Sequence, residues 1–221
     1  MATAKEVVSE LKRLGDRKYR EGSAGFGIKV HDKRLGVRVP ELRKLAKEIG
    51  KDHRLAQELW KTGYAEARML AGFIDDPKLV TERQMEKWVK GFDSWDVCDQ
   101  VCCFLFDRTA LAWKKAVEWS GREQEYEKRA AFSLMAGLAW HDKEAPDSRF
   151  IRFLPIIKRE STDSRNFVKK AVNWALRNIG KRNAKLKREA IKAAREIRKI
   201  DDRTARWIAS DAIRELERKK P

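Results

Sequence analysis

The sequence predicts an all-α protein, a solenoid built from antiparallel helix pairs, on three observations. Apolar residues recur at helical spacing along almost the whole chain, and no segment alternates with a period of two. Only 12 Gly and 5 Pro occur in 221 residues, too few for a turn-rich all-β chain. A hydrophobic fraction of 42% with eight tryptophans supplies a core, although 38% of residues are charged. A compact α-bundle is the alternative packing of the same helices.

Taken in order, the first helix is predicted over Ala4–Tyr19, with Val7, Val8, Leu11 and Leu14 facing inward. A connector rich in glycine follows, holding Gly22, Gly25, Gly27 and Gly36. Pro40 stands at a first helical position, where its missing N–H costs nothing, and Gly50 stops that helix. Short helices are predicted over Asp52–Lys61 and Ala65–Ile74, punctuated by Gly63 and by Asp76-Pro77. Thr81, Ser94 and Thr109 then read as N-caps of helices reaching Val89, Phe106 and Trp119, with Gly91 and Gly121 as stops. Glu123–Trp140 reads as a longer helix, and His141–Ser148 as a polar loop. The remaining helices are predicted over Ser148–Arg159, kinked or shortened by Pro155, then Ser164–Ile179, Asn183–Lys199 and Asp202–Lys219.

That makes about twelve helices with short connections, in pairs repeating every 35–45 residues or so. Helix pairs chained in this way form a solenoid of HEAT or armadillo character, whose concave face accommodates an extended partner. No composition shift divides the chain, so residues 1–221 are read as one domain. No apolar run approaches a membrane span, and Met1–Arg20 lacks a signal-peptide core. The three cysteines are clustered and odd in number, unlike a secreted disulfide framework. These features predict a soluble, cytoplasmic, monomeric protein.

The charge narrows the partner. Lys and Arg number 51 against 34 Asp and Glu, a net +17. Residues 1–110 carry 22 basic and 18 acidic side chains, whereas residues 111–221 carry 29 and 16. The stretch Arg149–Lys199 alone holds 17 basic against 4 acidic residues. A field this concentrated attracts a polyanion, and its spread over several helices that include Trp174 favours nucleic acid over a single solvated lysine-rich face.

Several chemistries find no support. Cys98 and Cys102 share a helix face, but His31, His53 and His141 are far off in sequence, so no metal site is expected. Buried thiols are the simpler reading. There is no phosphate loop, no nucleophile elbow and no matched Ser/Cys–His pair, and no cofactor is expected.

The segment Phe92–Cys102 is the most informative. On a helix starting at Ser94, Trp95 and Asp99 are four apart and share a face, with Asp96 roughly alongside Asp99. The bland alternative makes Asp96 a helix-terminus charge, Asp99 half of an ion pair and Trp95 core. Two further segments weigh against it. Lys128–Trp140 sets Arg129 at the start of an apolar helix, and Asn166–Asn183 mixes an apolar face with Lys169, Lys170, Arg177, Lys181 and Arg182. Trp174 lies three residues before Arg177, a pairing that suits a sugar or base flanked by phosphates and equally a structural cation–π contact.

Together, GVRVPELRKLAKEI, EARMLAGFIDDP, SWDVCDQVC, KRAAFSLM and NFVKKAVNWALRNIGK resemble, in order and approximate spacing, the AlkD family of DNA alkylation repair glycosylases. The resemblance spans nearly the whole chain and implies HEAT-like repeats with a concave basic groove. It implies hydrolysis of the N-glycosidic bond of N3- and N7-alkylated purines in duplex DNA, without flipping the base. Trp95 and Asp99 match the family's Trp and catalytic Asp, Arg129 its repeat-opening Arg, Trp174 its second active-site Trp, and Arg177 a phosphate-contacting Arg. Lys169, Lys170, Lys181 and Arg182 complete the expected DNA-binding set. The interval from Arg129 to Trp174 is longer than the family pattern, which implies an insertion near His141–Ser148. The competing expectations are a non-catalytic DNA- or RNA-binding solenoid and a scaffold for an acidic protein.

Overall fold

The computed structural model describes residues 2–31 and 33–218, and every regular element among them is helical. The chain forms two compact units that divide between Thr109 and Ala110.

The N-terminal unit contains α1 (Ala4–Leu14), α2 (Arg17–Gly22), α3 (Val39–Ile49), α4 (His53–Lys61), α5 (Ala65–Ile74), α6 (Glu82–Val89) and α7 (Trp95–Phe104). Its core lies around α5, which packs on α3, α4 and α7. The first helix is shorter than predicted. It is opened by a Thr3/Glu6 capping box and ends at Gly15, after which Asp16 accepts from the Tyr19 N–H and starts α2. Leu14-Gly15-Asp16 is therefore a stop followed by a cap, and the short helix after it buries no residue, so no apolar stripe marks the break. Val7 and Leu11 are buried, while Val8 and Leu14 are half-buried. Gly36, at φ +85°, sits so close that an added Cβ would lie 2.2 Å from the Asp16 carbonyl oxygen. Glycine is the residue this approach allows.

Thr81 caps α6 as expected, accepting from the Gln84 N–H. Thr109 does not open a helix. It closes a 3-10 turn (Phe106–Arg108) by donating its hydroxyl to the Phe106 carbonyl, and the next helix starts at Ala112. A hydroxyl can satisfy the end of one turn as readily as the start of the next, and sequence spacing does not separate the two.

The C-terminal unit contains α8 (Ala112–Trp119), α9 (Glu125–His141), α10 (Asp147–Ile151), α11 (Leu154–Arg159), α12 (Asn166–Lys181), α13 (Ala184–Arg198) and α14 (Arg203–Glu217). Residues Ala130–Ala139 of α9 are all buried, so this helix is apolar on every side and forms the centre of the unit, between α8 and α12. The helix predicted over Ser148–Arg159 is two short ones, with Pro155 in the first turn of α11, where its missing N–H is tolerated. Asn183 and Asp202 cap α13 and α14 through their side chains. Lys219, the expected end of the last helix, lies outside the described residues. Gly180 allows α14 to approach α12, since a Cβ there would meet the Leu216 side chain at 2.7 Å.

No helix among the described residues is long and apolar enough to cross a membrane.

Candidate nucleic-acid interface

In the N-terminal unit the sequence-predicted residues lie at the start of α7. Ser94 occupies the N-cap position but makes no capping bond. Its hydroxyl oxygen accepts from Arg34 Nη2 at 3.0 Å. The same guanidinium grips Asp96 through both carboxylate oxygens, at 2.7 and 3.0 Å. Arg34 is only 5% exposed. Burial works against its charge, and the hydrogen-bonded Asp96 outweighs that cost and leaves the guanidinium above its ordinary pKa. The glycine-rich connector that carries Arg34 is fixed in turn by the buried Glu66 of α5, whose carboxylate accepts from the Leu35 and Gly36 N–H groups at 2.7–3.0 Å.

This clamp commits Asp96 to a structural contact. Asp96 is consumed in holding the connector to the helix start. Asp99 lies one turn on from Trp95, and both side chains are half-buried. The Trp95 indole N–H donates to the carbonyl of Phe26 at 3.1 Å, which fixes the ring against the 3-10 turn Ser23–Phe26. Also on α7, Cys98, Cys102 and Cys103 are buried thiols that form no disulfide, and burial pushes the Cys102 thiol well up. Among the described residues no cluster of His, Cys, Asp and Glu is placed to hold a metal ion.

In the C-terminal unit, Arg129 is 6% exposed on α9 and donates from Nη1 to the Phe167 carbonyl in the first turn of α12, at 2.6 Å. Trp174 is half-buried on α12. Arg177 and Lys181 follow on the same helix, and both donate to Glu215 of α14. Asp211, one turn earlier on α14, lies 3.6 Å from Arg177 and accepts from Asn173 at 2.7 Å. Burial alone would raise the Glu215 carboxyl, but Lys181 and Arg177 hold it below the usual carboxylate range.

Arg182 is committed differently. Its guanidinium donates to the carbonyls of Ala139, Lys143 and Ala145 and lies 4.3 Å over the Phe150 ring. It pins the loop after α9 and caps that helix's C-terminus, where a cation is electrostatically favoured. Lys169 lies 5.4 Å from the Trp207 ring centroid, and Lys170 is exposed. Exposed cations continue along α13 as Lys185, Arg188, Lys192, Arg195 and Arg198.

Trp174, Lys181 and Arg182 also line one cleft of about 370 Å³ together with Ala139, Trp140, Lys143 and Asn178. Trp140 and Lys143 are functional candidates that the sequence reading missed. Trp140 ends an apolar helix and Lys143 lies in the polar loop, and neither position carries a periodic signal. Also missed was Arg34, a lone arginine in a glycine-rich stretch.

No curated protein matches the chain. Among solved structures it is similar to a member of a family described as related to the HEAT-like repeat DNA glycosylases with affinity for branched DNA structures. That likeness has 23% identity and a TM-score of 0.80, and covers 96% of this chain and 95% of the other. A designed armadillo repeat protein is matched at 15% identity and a TM-score of 0.34, over 79% of this chain and 91% of that one. The first likeness establishes the all-α HEAT-like repeat fold. Residues 7–216 match the DNA alkylation repair enzyme family over most of the sequence, and the chain belongs to that family.

Proposed function

We propose that the protein is a monofunctional DNA glycosylase that hydrolyses the N-glycosidic bond of N3- and N7-alkylated purines, such as 3-methyladenine and 7-methylguanine, in duplex DNA. The observation that carries this reading is the pairing of Asp99 with Trp95, one turn apart on α7 and both half-buried. An alkylated purine is already cationic and leaves without strong protonation. The transition state gathers positive charge on the deoxyribose, as in other glycoside cleavage. A carboxylate beside that sugar stabilises the charge and orients the attacking water, the role proposed for Asp99.

Trp95 presents an electron-rich face to the sugar beside Asp99 and excludes bulk water, and Trp174 of the C-terminal unit presents such a face to the DNA. Arg129, at the start of α9, holds the phosphate backbone in register. Lys169, Lys170, Arg177, Lys181 and Arg182 supply the basic groove wall, and the base stays unflipped. The protein acts as a monomer in the cytoplasm, associated with the nucleoid when bound to DNA.

The test is release of free 7-methylguanine or 3-methyladenine from alkylated duplex DNA. Asp99→Asn is expected to lower release by on the order of 100-fold, the loss typical of one electrostatic group. Full activity in a folded, DNA-binding variant would overturn the assignment. One observation favours a second reading: the similar solved structure belongs to a family described by its affinity for branched DNA. Tight DNA binding by the wild type with no base release selects that non-catalytic module.

A further inference from the structure

The cleft where α9 and α12 end sets beside Trp174 and Lys181 two side chains, Trp140 and Lys143, that the proposed excision chemistry does not use. Trp140 is 54% exposed, a large aromatic surface for a residue that follows eleven buried positions on α9. Its indole stacks on His141, with ring centroids 4.6 Å apart and planes inclined by 22°. Across the cleft, Trp174, Asn178 and Lys181 form one stripe of α12, at spacings of four and three. Lys143 is exposed at the rim, on a loop that Arg182 holds through three carbonyls.

We propose that this cleft takes one unpaired nucleotide of a DNA strand, its base stacked on Trp140 and its phosphate facing the ammonium groups of Lys143 and Lys181. The inference rests on the DNA-binding part of the reading above and not on its catalysis. A volume of about 370 Å³ falls at the small end of the roughly 300–1,000 Å³ typical of ligand clefts, enough for one nucleotide and not for a duplex. A base inside a duplex has both faces covered by its neighbours, so an exposed indole can stack only on a base that is unpaired or terminal. Arg182 is already spent on carbonyls, and Lys181 shares its charge with Glu215, so the phosphate contribution is modest. The aromatic face therefore supplies most of the selectivity. The bound loop makes the site preformed: Asp142 accepts from the Ala145 N–H and from Trp113 Nε1, and Asn183 donates to Asp147.

The experiment measures binding of the full chain to three DNAs: an intact duplex, the same duplex with a single-nucleotide flap carrying 2-aminopurine, and that flap with an abasic nucleotide. The wild type is expected to prefer the base-bearing flap over the abasic one, with quenched 2-aminopurine fluorescence. Trp140→Ala is expected to lose about tenfold on the base-bearing flap and nothing on the duplex, while Trp140→Phe keeps most of the preference. Lys143→Gln is expected to weaken flap binding and reduce its salt slope by about one. Equal binding of the two flaps by the wild type overturns the proposal, as does a Trp140→Ala variant with unchanged preference and melting temperature. In both cases duplex binding by the wild type leaves the DNA reading standing. A wild type that binds none of the three DNAs overturns both.

Discussion

The two units solve the same electrostatic problem in opposite ways. In the N-terminal unit a buried cation, Arg34, organises a carboxylate, and the unit's net charge is small. In the C-terminal unit two carboxylates, Asp211 and Glu215, organise surface cations on a neighbouring helix, and the basic excess is large. The first arrangement is rigid, because a guanidinium gripped on both sides and out of water has one favourable geometry. The second is half-exposed and can exchange its anions for others. A fixed pair suits holding the connector at the start of α7, and exchangeable cations suit a polyanion of any sequence. What separates the two regions is burial, which net charge does not report.

The sharpest break in this comparison is expected at Arg34. Replacing it with Ala leaves Asp96 without its bidentate partner and frees the connector from Ser94. Removing one member of a buried pair costs about 3–5 kcal/mol, and urea unfolding should show that loss. A loss below about 1 kcal/mol, as for an exposed pair, would place this clamp in the same class as the network on α14. Glu66→Gln is expected to cost less, about 1–3 kcal/mol. The amide oxygen still accepts from the connector, but one of its acceptors becomes a donor facing the Leu35 and Gly36 N–H groups. The same unfolding experiment measures it, and a variant as stable as wild type would show that the connector is held by Arg34 alone.

Much of this was legible beforehand, and the reasons for the exceptions are physical. Helices α3 to α7 were readable because each carries a local punctuation mark, a proline, a capping side chain or a glycine stop, beside a clear apolar stripe. The break at Gly15-Asp16 was hidden because Arg17–Gly22 buries no residue and has no apolar stripe of its own to mark a second helix. The Trp95–Asp99 pairing is a property of one helix and so could be read from spacing. The partner of Asp96 could not, since Arg34 is 62 residues away and only the folded connector brings it there. The charge count has the same blind spot. The window Arg149–Lys199 counts Arg177 and Lys181 as surplus, while their counter-ions Asp211 and Glu215 lie outside it, on a helix that the close approach at Gly180 brings alongside.

That neutralisation gives the smallest and most discriminating effect. Glu215 is ionised at neutral pH, because Lys181 and Arg177 hold its carboxyl below the usual range. In the free protein it therefore offsets charge that the DNA reading assigns to phosphates. Glu215→Gln should remove that competition and leave both cations on α12. Binding to duplex DNA is expected to tighten by about fivefold, equivalent to about 1 kcal/mol, the scale of an exposed ion pair. The dependence of log affinity on log salt should steepen by up to about one, as one more phosphate is neutralised. The sign is what matters, since a variant that loses an ion pair would ordinarily be expected to lose function. If affinity and salt slope stay at their wild-type values while Arg177→Ala also binds normally, then Arg177 and Lys181 serve only to hold α12 to α14. The interface would then rest on Lys169, Lys170 and the exposed cations of α13.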